Sequence, residues 1–208
     1  MSESFSIREA IAVGWGKTRA HSALIFKVLL TLFALQIVHS IVAKTLMPSL
    51  QGVLALFGIT VLGIVLGAGA VVITLKLVRG EHAEYTQIMP PLGLAARYFF
   101  ASALAGIITV VGLVLLIIPG IYLMLRFSMV RFAALDGNGI VGSLKKSGEL
   151  TEGVKWKLLG FLLTLLGLNF LGFLLLVVGL IVTVPITMIA YAHVYQKLLM
   201  RVEREGAK

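Results

Sequence analysis

The chain alternates long apolar runs with short polar connections, and the lengths of the runs predict helices that cross a membrane. A helix needs about 20 apolar residues to span a hydrocarbon layer of about 30 Å. Residues 24–43 and 53–78 meet that length. Residues 98–118 form a third uncharged run that stops at Pro119-Gly120. The next run, residues 121–135, is short, so it either crosses the layer or re-enters it.

The last apolar region, residues 158–196, must fold back on itself. It contains no Lys, Arg, Asp or Glu, and as one helix it would be roughly 60 Å long, about twice the hydrocarbon thickness. We therefore predict two spans, residues 158–176 and 180–199, with a bend at Pro185 in the second. The fold class that follows is all-α, a single membrane domain of about six transmembrane helices.

Three polar connections carry apolar residues at helical spacing, which predicts short amphipathic helices in the headgroup region. They cover residues 5–16, 82–96 and 139–150. In the third, Lys145 and Lys146 lie opposite the apolar positions. These helices are expected to lie flat, with the apolar side toward the hydrocarbon.

The composition places most of this protein in lipid. Hydrophobic residues make up 59% of the 208 positions and charged residues only 13%, whereas soluble domains are about 25% charged. A soluble monomer would have to expose much of this apolar surface, which such proteins rarely do. The chain has no cysteine, which excludes disulfides, thiolate zinc sites and a cysteine nucleophile.

The net charge of +9, from 18 Lys and Arg against 9 Asp and Glu, indicates an orientation. The basic residues cluster at the ends of apolar runs, as expected beside a negatively charged leaflet, so no nucleic-acid role is predicted. With six spans, both termini lie on one side. Twelve cations of the connections and termini share that side, and only Lys44 lies on the other. We predict a multi-pass protein of the cytoplasmic membrane with both termini inside.

Arg126 is the one cation predicted deep in an apolar run. An arginine at mid-depth costs at least about 2.5 kcal/mol on insertion scales, and no acid occurs between Glu84 and Asp136. Arg126 therefore either reaches the interface from a tilted segment or binds an anion, such as a lipid headgroup or a solute. Arg131 is nearer the inner end and is predicted chiefly as an interface anchor, with anion contact as the second interpretation.

Four lysines, Lys145, Lys146, Lys155 and Lys157, form a basic inner surface. Each cation near an anionic membrane contributes about 1 kcal/mol, so this surface should adhere to acidic lipid. A specific lipid or protein partner is the alternative.

Glycines on the second span, Gly63, Gly67 and Gly69, form a face that lets helices approach closely. Packing within the bundle is the first interpretation, and a homodimer or a contact with another membrane protein is the second.

The middle of the chain, "IIPGIYLMLRFSMVRFAALDGNGIVGSLKKSGELTEGVKWKLLGFLL", residues 117–163, resembles the glycerophosphoryl diester phosphodiesterase membrane-domain family and its uncharacterised stand-alone bacterial and archaeal relatives. The start "REAIAVGWGKT", residues 8–18, is similar to the N-terminal segment of that family. The resemblance covers roughly the whole chain and implies a six-helix bundle in a prokaryotic cytoplasmic membrane. The resemblance implies no catalytic residues for this chain. The shared elements are Pro119-Gly120, Leu144, Lys145, Ser147, Gly153 and Trp156.

The sequence does not predict an enzyme, a cofactor or a metal site. General acid–base chemistry needs paired ionisable groups within reach of one another, and the spans hold no carboxylate. We expect a non-enzymatic membrane protein that binds or organises anionic lipid or partner membrane proteins. The alternative is a small transporter or channel for an anionic solute with Arg126 near the Pro119-Gly120 elbow, since broken helices often mark transport sites.

Overall fold

The computed structural model describes residues 5–46, 48–175 and 178–206, and these residues fold into helices without strands. A 3₁₀ turn, Tyr85–Ile88, lies between the third and fourth α-helices. The α-helices of the described ranges are α1 (Ile7–Ala20), α2 (Ser22–Leu46), α3 (Leu50–Arg79), α4 (Leu92–Leu115), α5 (Ile117–Arg126), α6 (Val130–Leu135), α7 (Ile140–Thr151), α8 (Lys155–Leu174) and α9 (Val178–Gly206).

Six helical segments of the described ranges are long and apolar enough to cross a membrane, which confirms the predicted all-α class and the number of candidate spans. Five of them are α2, α3, α4, α8 and α9. The fourth span, Ile117–Leu135, is formed by α5 and α6 together. The end of the predicted fifth span, residue 176, lies outside the described residues.

The connection after α3 differs from the amphipathic helix predicted over residues 82–96. It forms only the four-residue 3₁₀ turn, and α4 begins at Leu92. The reason lies in Pro90 and Pro91, because a proline disfavours the α region for the residue before it and removes a backbone donor. Two consecutive prolines therefore interrupt the predicted helix.

This turn packs on α3 through Gly69. A Cβ at Gly69 would collide with the backbone of Ile88, which is buried. The Tyr85 hydroxyl lies 2.6 Å from Thr31 Oγ1 on α2. The connection is therefore held against two helices.

The elbow between α4 and α5 lies at Leu116, three residues before the predicted break at Pro119-Gly120. Leu116 has extended backbone angles, φ −158° and ψ 134°. Pro119 lies in the first turn of α5, where a backbone N–H has no intrahelical partner anyway. A Cβ at Gly120 would collide with Leu113, so this glycine allows α4 and α5 to pack closely as a hairpin.

Helix α1 packs antiparallel against α9. Glu9 faces Lys197, and a Cβ at Gly14 would collide with the backbone of Ile186. The predicted break Pro185 lies inside α9, which continues on both sides of it. The amphipathic helix predicted over residues 5–16 therefore has a protein neighbour along its length.

The two ends of the bundle differ. At the end that we call the basic end, the C-terminal ends of α3, α6 and α9 lie together, and α7 packs against α6 and α9. Arg201 of α9, for example, donates hydrogen bonds to the carbonyls of Leu150 and Glu152, at 3.2 and 3.0 Å. At the opposite, apolar end, the α2–α3 and α8–α9 turns are flanked by exposed apolar side chains such as Leu50 and Leu174. The α4–α5 turn also carries exposed apolar side chains, such as Val114 and Ile118.

Candidate anion site

The fourth span breaks at residues 127–129, between α5 and α6, and side chains of other helices satisfy the freed backbone groups. The Ser147 hydroxyl on α7 donates to the Arg126 carbonyl at 2.7 Å and accepts from the Met129 N–H at 3.1 Å. The Tyr191 hydroxyl on α9 donates to the Ser128 carbonyl at 2.8 Å. Because unpaired backbone groups are costly in an apolar environment, α7 and α9 make this break tolerable.

The break places Arg126 beside α7. A Cβ at Gly148 would lie 3.1 Å from Arg126 Nε, so the glycine leaves the space that the guanidinium occupies. Arg126 is the last residue of α5, at the break, and its side chain is exposed. Its depth in the membrane stays a prediction.

The Arg126 side chain borders a cavity of about 270 Å³, which we call the Arg126 cavity. Helices α5, α7 and α8 and the α7–α8 connection contribute to its wall. The lining residues are Tyr122, Arg126, Lys145, Gly148, Glu149, Glu152 and Lys155.

Positive charge exceeds negative charge around this cavity. Arg126, Lys145 and Lys155 face two carboxylates, and one of these, Glu149, is approached by Lys146 from outside at 3.6 Å. Among the described residues, none of the three lining cations forms an ion pair with a carboxylate. Lys155 Nζ instead lies 4.7 Å from the centroid of the Tyr122 ring. Three cations therefore remain available to an anion.

The structure brings together three of the six cations predicted to bind anions. Lys146 lies beside the cavity as the partner of Glu149. Lys157 lies on another face of α8, 5.1 Å from the centroid of the Phe5 ring. Arg131 lines a separate cleft between α4 and the α5–α6 segment.

The glycines of α3 differ in their surroundings. Gly69 packs on the 3₁₀ turn, and a Cβ at Gly63 would lie 3.4 Å from Leu35 of α2. A Cβ at Gly67 would meet no described atom within 4 Å. Packing inside the bundle thus uses Gly69 most strongly.

Sequence reasoning missed a polar cluster at the basic end. Arg79 Nη2 donates to both carboxylate oxygens of Asp136, at 2.7 and 2.6 Å, and Arg79 Nε donates to Gln196 Oε1 at 3.1 Å. The buried Tyr195 donates its hydroxyl proton to Asp136 Oδ2 at 2.7 Å. The cluster joins the ends of α3, α6 and α9. Its signal in the sequence was the acid Asp136 at the end of an apolar run.

A second ionic contact joins α1 to α9. Lys197 Nζ lies 2.9 Å from Glu9 Oε1, and His193 Nε2 lies 3.4 Å from the same oxygen. The hydrogen bond from Lys197 lowers the pKa of the Glu9 carboxyl below its ordinary value. This contact holds the start of α1 in place.

Comparison with protein-family models, with curated proteins and with solved structures finds no match to this chain. The resemblance to the phosphodiesterase membrane-domain family stays a prediction from the residues quoted above. Within the described residues, no group of three or more His, Cys, Asp or Glu side chains could hold a metal ion.

Proposed function

We propose that this protein is a non-enzymatic, multi-pass protein of a prokaryotic cytoplasmic membrane that binds an anionic lipid headgroup in the Arg126 cavity. The observation that supports it is the convergence of Arg126, Lys145 and Lys155 on one cavity without an ion-pair partner among the described residues. Charge-assisted hydrogen bonds from arginine and lysine are the strong contacts that proteins use for phosphate oxygens. A phosphate group would supply the missing negative charge.

We favour a lipid over a free anion because exposed apolar residues are next in the chain to two of the lining residues. Trp156 follows Lys155 directly and is 85% exposed, and Ile121 precedes the lining residue Tyr122 and is 38% exposed. Exposed aromatic residues beside cations are typical of the headgroup level of a membrane. A headgroup on the cations would leave its acyl chains against these side chains.

The basic end faces the cytoplasm in this proposal. The positive-inside rule favours that orientation, because Lys44, in the last turn of α2, is the only described cation at the other end. The cytoplasmic leaflet also carries the anionic lipids that such a surface attracts. Both termini would lie inside.

The test compares phosphatidylglycerol with phosphatidylcholine, each titrated into detergent-solubilised protein and counted by native mass spectrometry. Wild type should bind phosphatidylglycerol more tightly. The double substitution Arg126→Gln, Lys155→Gln removes two cations worth about 1 kcal/mol each, so binding should weaken about thirtyfold. Lys157→Gln is the matched control, since Lys157 lies on the same helix outside the cavity.

Two results would contradict the proposal. One is equal affinity of wild type for the two lipids. The other is an equal loss of phosphatidylglycerol binding in the double variant and in Lys157→Gln, which would mean diffuse surface charge rather than a site.

The second candidate function is transport of an anionic solute, and the observation that favours it is the break in the fourth span. Interrupted membrane helices often line transport sites. Chloride or phosphate flux should then be measured in proteoliposomes with wild type and Arg126→Leu. Flux in wild type that the substitution abolishes would favour transport over lipid binding. Wild-type flux no greater than that of empty liposomes would exclude this candidate for those ions.

A further inference from the structure

A second cation-lined space lies on the other side of the fourth span. The Arg131 cleft, a cavity of about 370 Å³, lies between α4 and the α5–α6 segment, and Tyr191 of α9 also lines it. Its volume is within the range of small-ligand pockets, about 300–1,000 Å³. Arg131 is exposed and, within the described residues, forms no ion pair. An arginine within a membrane span normally has a charged or polar partner.

The hydroxyl groups of the cleft show where an anion would bind. Thr109 donates its proton to the Ala105 carbonyl, Ser128 to the Leu125 carbonyl and Tyr191 to the Ser128 carbonyl, each at 2.8 Å. These three hydroxyl groups can therefore only accept further hydrogen bonds, and they have no proton left to donate to an anion. The Ser102 Oγ is buried and has no hydrogen-bond partner among the described residues, so its proton is free.

Ser102 and Arg131 both line the cleft. Ala101 and Val130, the residues before them, belong to one buried cluster in which α4 packs on α6. An anion that reaches both side chains would receive hydrogen bonds from a guanidinium and a hydroxyl. The rest of the cleft would repel it, because the other hydroxyls present lone pairs.

The remaining wall is apolar and opens sideways. Gly106, Val110 and Met124 line it and are exposed, and in a membrane their exposed surface meets hydrocarbon. A hydrocarbon chain can therefore enter from the bilayer without crossing a polar surface.

We infer that the Arg131 cleft binds a single-chain anionic amphiphile, whose carboxylate or phosphate accepts hydrogen bonds from Arg131 and Ser102 and whose chain lies on Gly106, Val110 and Met124. The two sources of this chemistry are a free fatty acid and a lysophospholipid. This site is separate from the Arg126 cavity and does not rest on the function proposed for it.

The experiment uses full-length protein in a non-ionic detergent, with oleate, oleoyl-lysophosphatidylglycerol and the neutral oleyl alcohol as probes, and measures binding by native mass spectrometry. Wild type should bind at least one of the two anions about tenfold or more tightly than oleyl alcohol, as one charge-assisted contact requires. Whichever anion binds more tightly identifies the source.

Two substitutions test the two halves of the cleft. Arg131→Gln removes the head contact and should weaken binding of the preferred anion about tenfold or more. Gly106→Leu fills the part of the cleft that would hold the hydrocarbon chain, with little strain because a Cβ there meets no described atom within 4 Å. It should weaken the binding of both anions, and thermal melting should show that the variant is folded. Lys157→Gln is the control, because Lys157 lines neither cavity, and it should leave binding unchanged.

The inference is overturned if oleyl alcohol binds as tightly as both anions, or if Arg131→Gln and Gly106→Leu both bind like wild type. It is also overturned if acetate or inorganic phosphate competes as strongly as the chain-bearing anions, because the chain would then contribute nothing. A loss in Lys157→Gln equal to that in Arg131→Gln would mean diffuse surface charge rather than a site.

Discussion

Phe161 and Phe170 lie on the same helix, nine residues apart, yet their surroundings are opposite. Phe161, toward the basic end, is fully buried and packs against Phe5 and Tyr191, whereas Phe170, toward the apolar end, is 59% exposed. The difference extends to the whole bundle. At the basic end, α1 and α7 add protein around the spans, and at the apolar end the hairpins have no such cover in the described residues.

The membrane explains why the two ends can be built so differently. Exposed apolar side chains cost little in hydrocarbon, because lipid tails are as apolar as leucine. Polar side chains and a broken backbone need partners in the same medium. The basic end holds Arg79, Asp136, Tyr195 and the break at residues 127–129. Protein packing is therefore concentrated where the polar groups are.

The largest predicted effect is a truncation at each of these two phenylalanines. Phe161→Ala should lower the free energy of unfolding by about 3–5 kcal/mol, since it empties a fully packed site. Phe170→Ala should change it by about 0.5 kcal/mol or less, since lipid replaces the lost contacts. Equilibrium unfolding in mixed detergent and SDS micelles measures both. Equal losses would mean that the apolar end is also tightly packed, and the contrast between the ends would disappear.

The next effect concerns the ionic cluster of the basic end. Asp136→Asn leaves Arg79 without its carboxylate, and because the two side chains are 27% and 17% exposed, we expect a loss of about 2–3 kcal/mol, below the full cost of breaking a buried pair. Adding Arg79→Gln should recover part of that loss, and a double-mutant cycle gives the coupling.

Glu205→Gln is the control for that cycle. Glu205 is 64% exposed and lies 4.0 Å from Arg201 Nε, so its removal should cost within about 0.5 kcal/mol. If Asp136→Asn is equally mild, the cluster does not hold the three helix ends together.

A smaller effect separates two glycines of α3. Gly69→Ala should destabilise by about 1–3 kcal/mol, because the new methyl group collides with the backbone of Ile88. Gly67→Ala should be neutral or stabilise by up to about 1 kcal/mol, since alanine favours a helix and the site is open. Thermal melting of both variants in one detergent measures the two changes in stability. Destabilisation by Gly67→Ala would instead show that a partner occupies that face.

The spans could be predicted from the sequence because a helix in lipid satisfies its own backbone. The length of an apolar run is then sufficient to identify it. The break in the fourth span could not be predicted this way. Residues 121–135 read as one run, and the hydroxyl that caps the break belongs to Ser147, 21 positions beyond Arg126.

The packing of α1 against α9 could not be predicted from the sequence either. Apolar residues at helical spacing fit a headgroup layer and a neighbouring helix equally well. The choice depends on Gly14, which is buried against Ile186, 172 positions away by their residue numbers. The same holds for Arg79 and Asp136, which are 57 positions apart. The sequence indicated the three cations of the Arg126 cavity separately, but their convergence depends on how α5, α7 and α8 pack.

The smallest predicted effect concerns the ion pair between Glu9 of α1 and Lys197 of α9, and it tests whether this pair helps to hold α1 on the bundle. The lowered pKa of Glu9 means that its carboxylate stabilises the fold fully above the unfolded pKa of about 4.3, and that this contribution is lost as the pH falls through the lower, folded value. Because Glu9 and Lys197 are 45% and 38% exposed, the contribution should be about 0.2–1 kcal/mol.

Hydrogen-exchange protection of the α1 amides, normalised for intrinsic rates at pH 5 and pH 3.5, measures this contribution. Protection in wild type should fall at the lower pH, and Glu9→Gln should be low at both. Since His193 contacts the same carboxylate, the difference between wild type and variant isolates Glu9, and Arg8→Gln on the same helix is the control. An α1 that stays equally protected in wild type at both pH values would show that Ala10 and Gly14 hold it by packing alone.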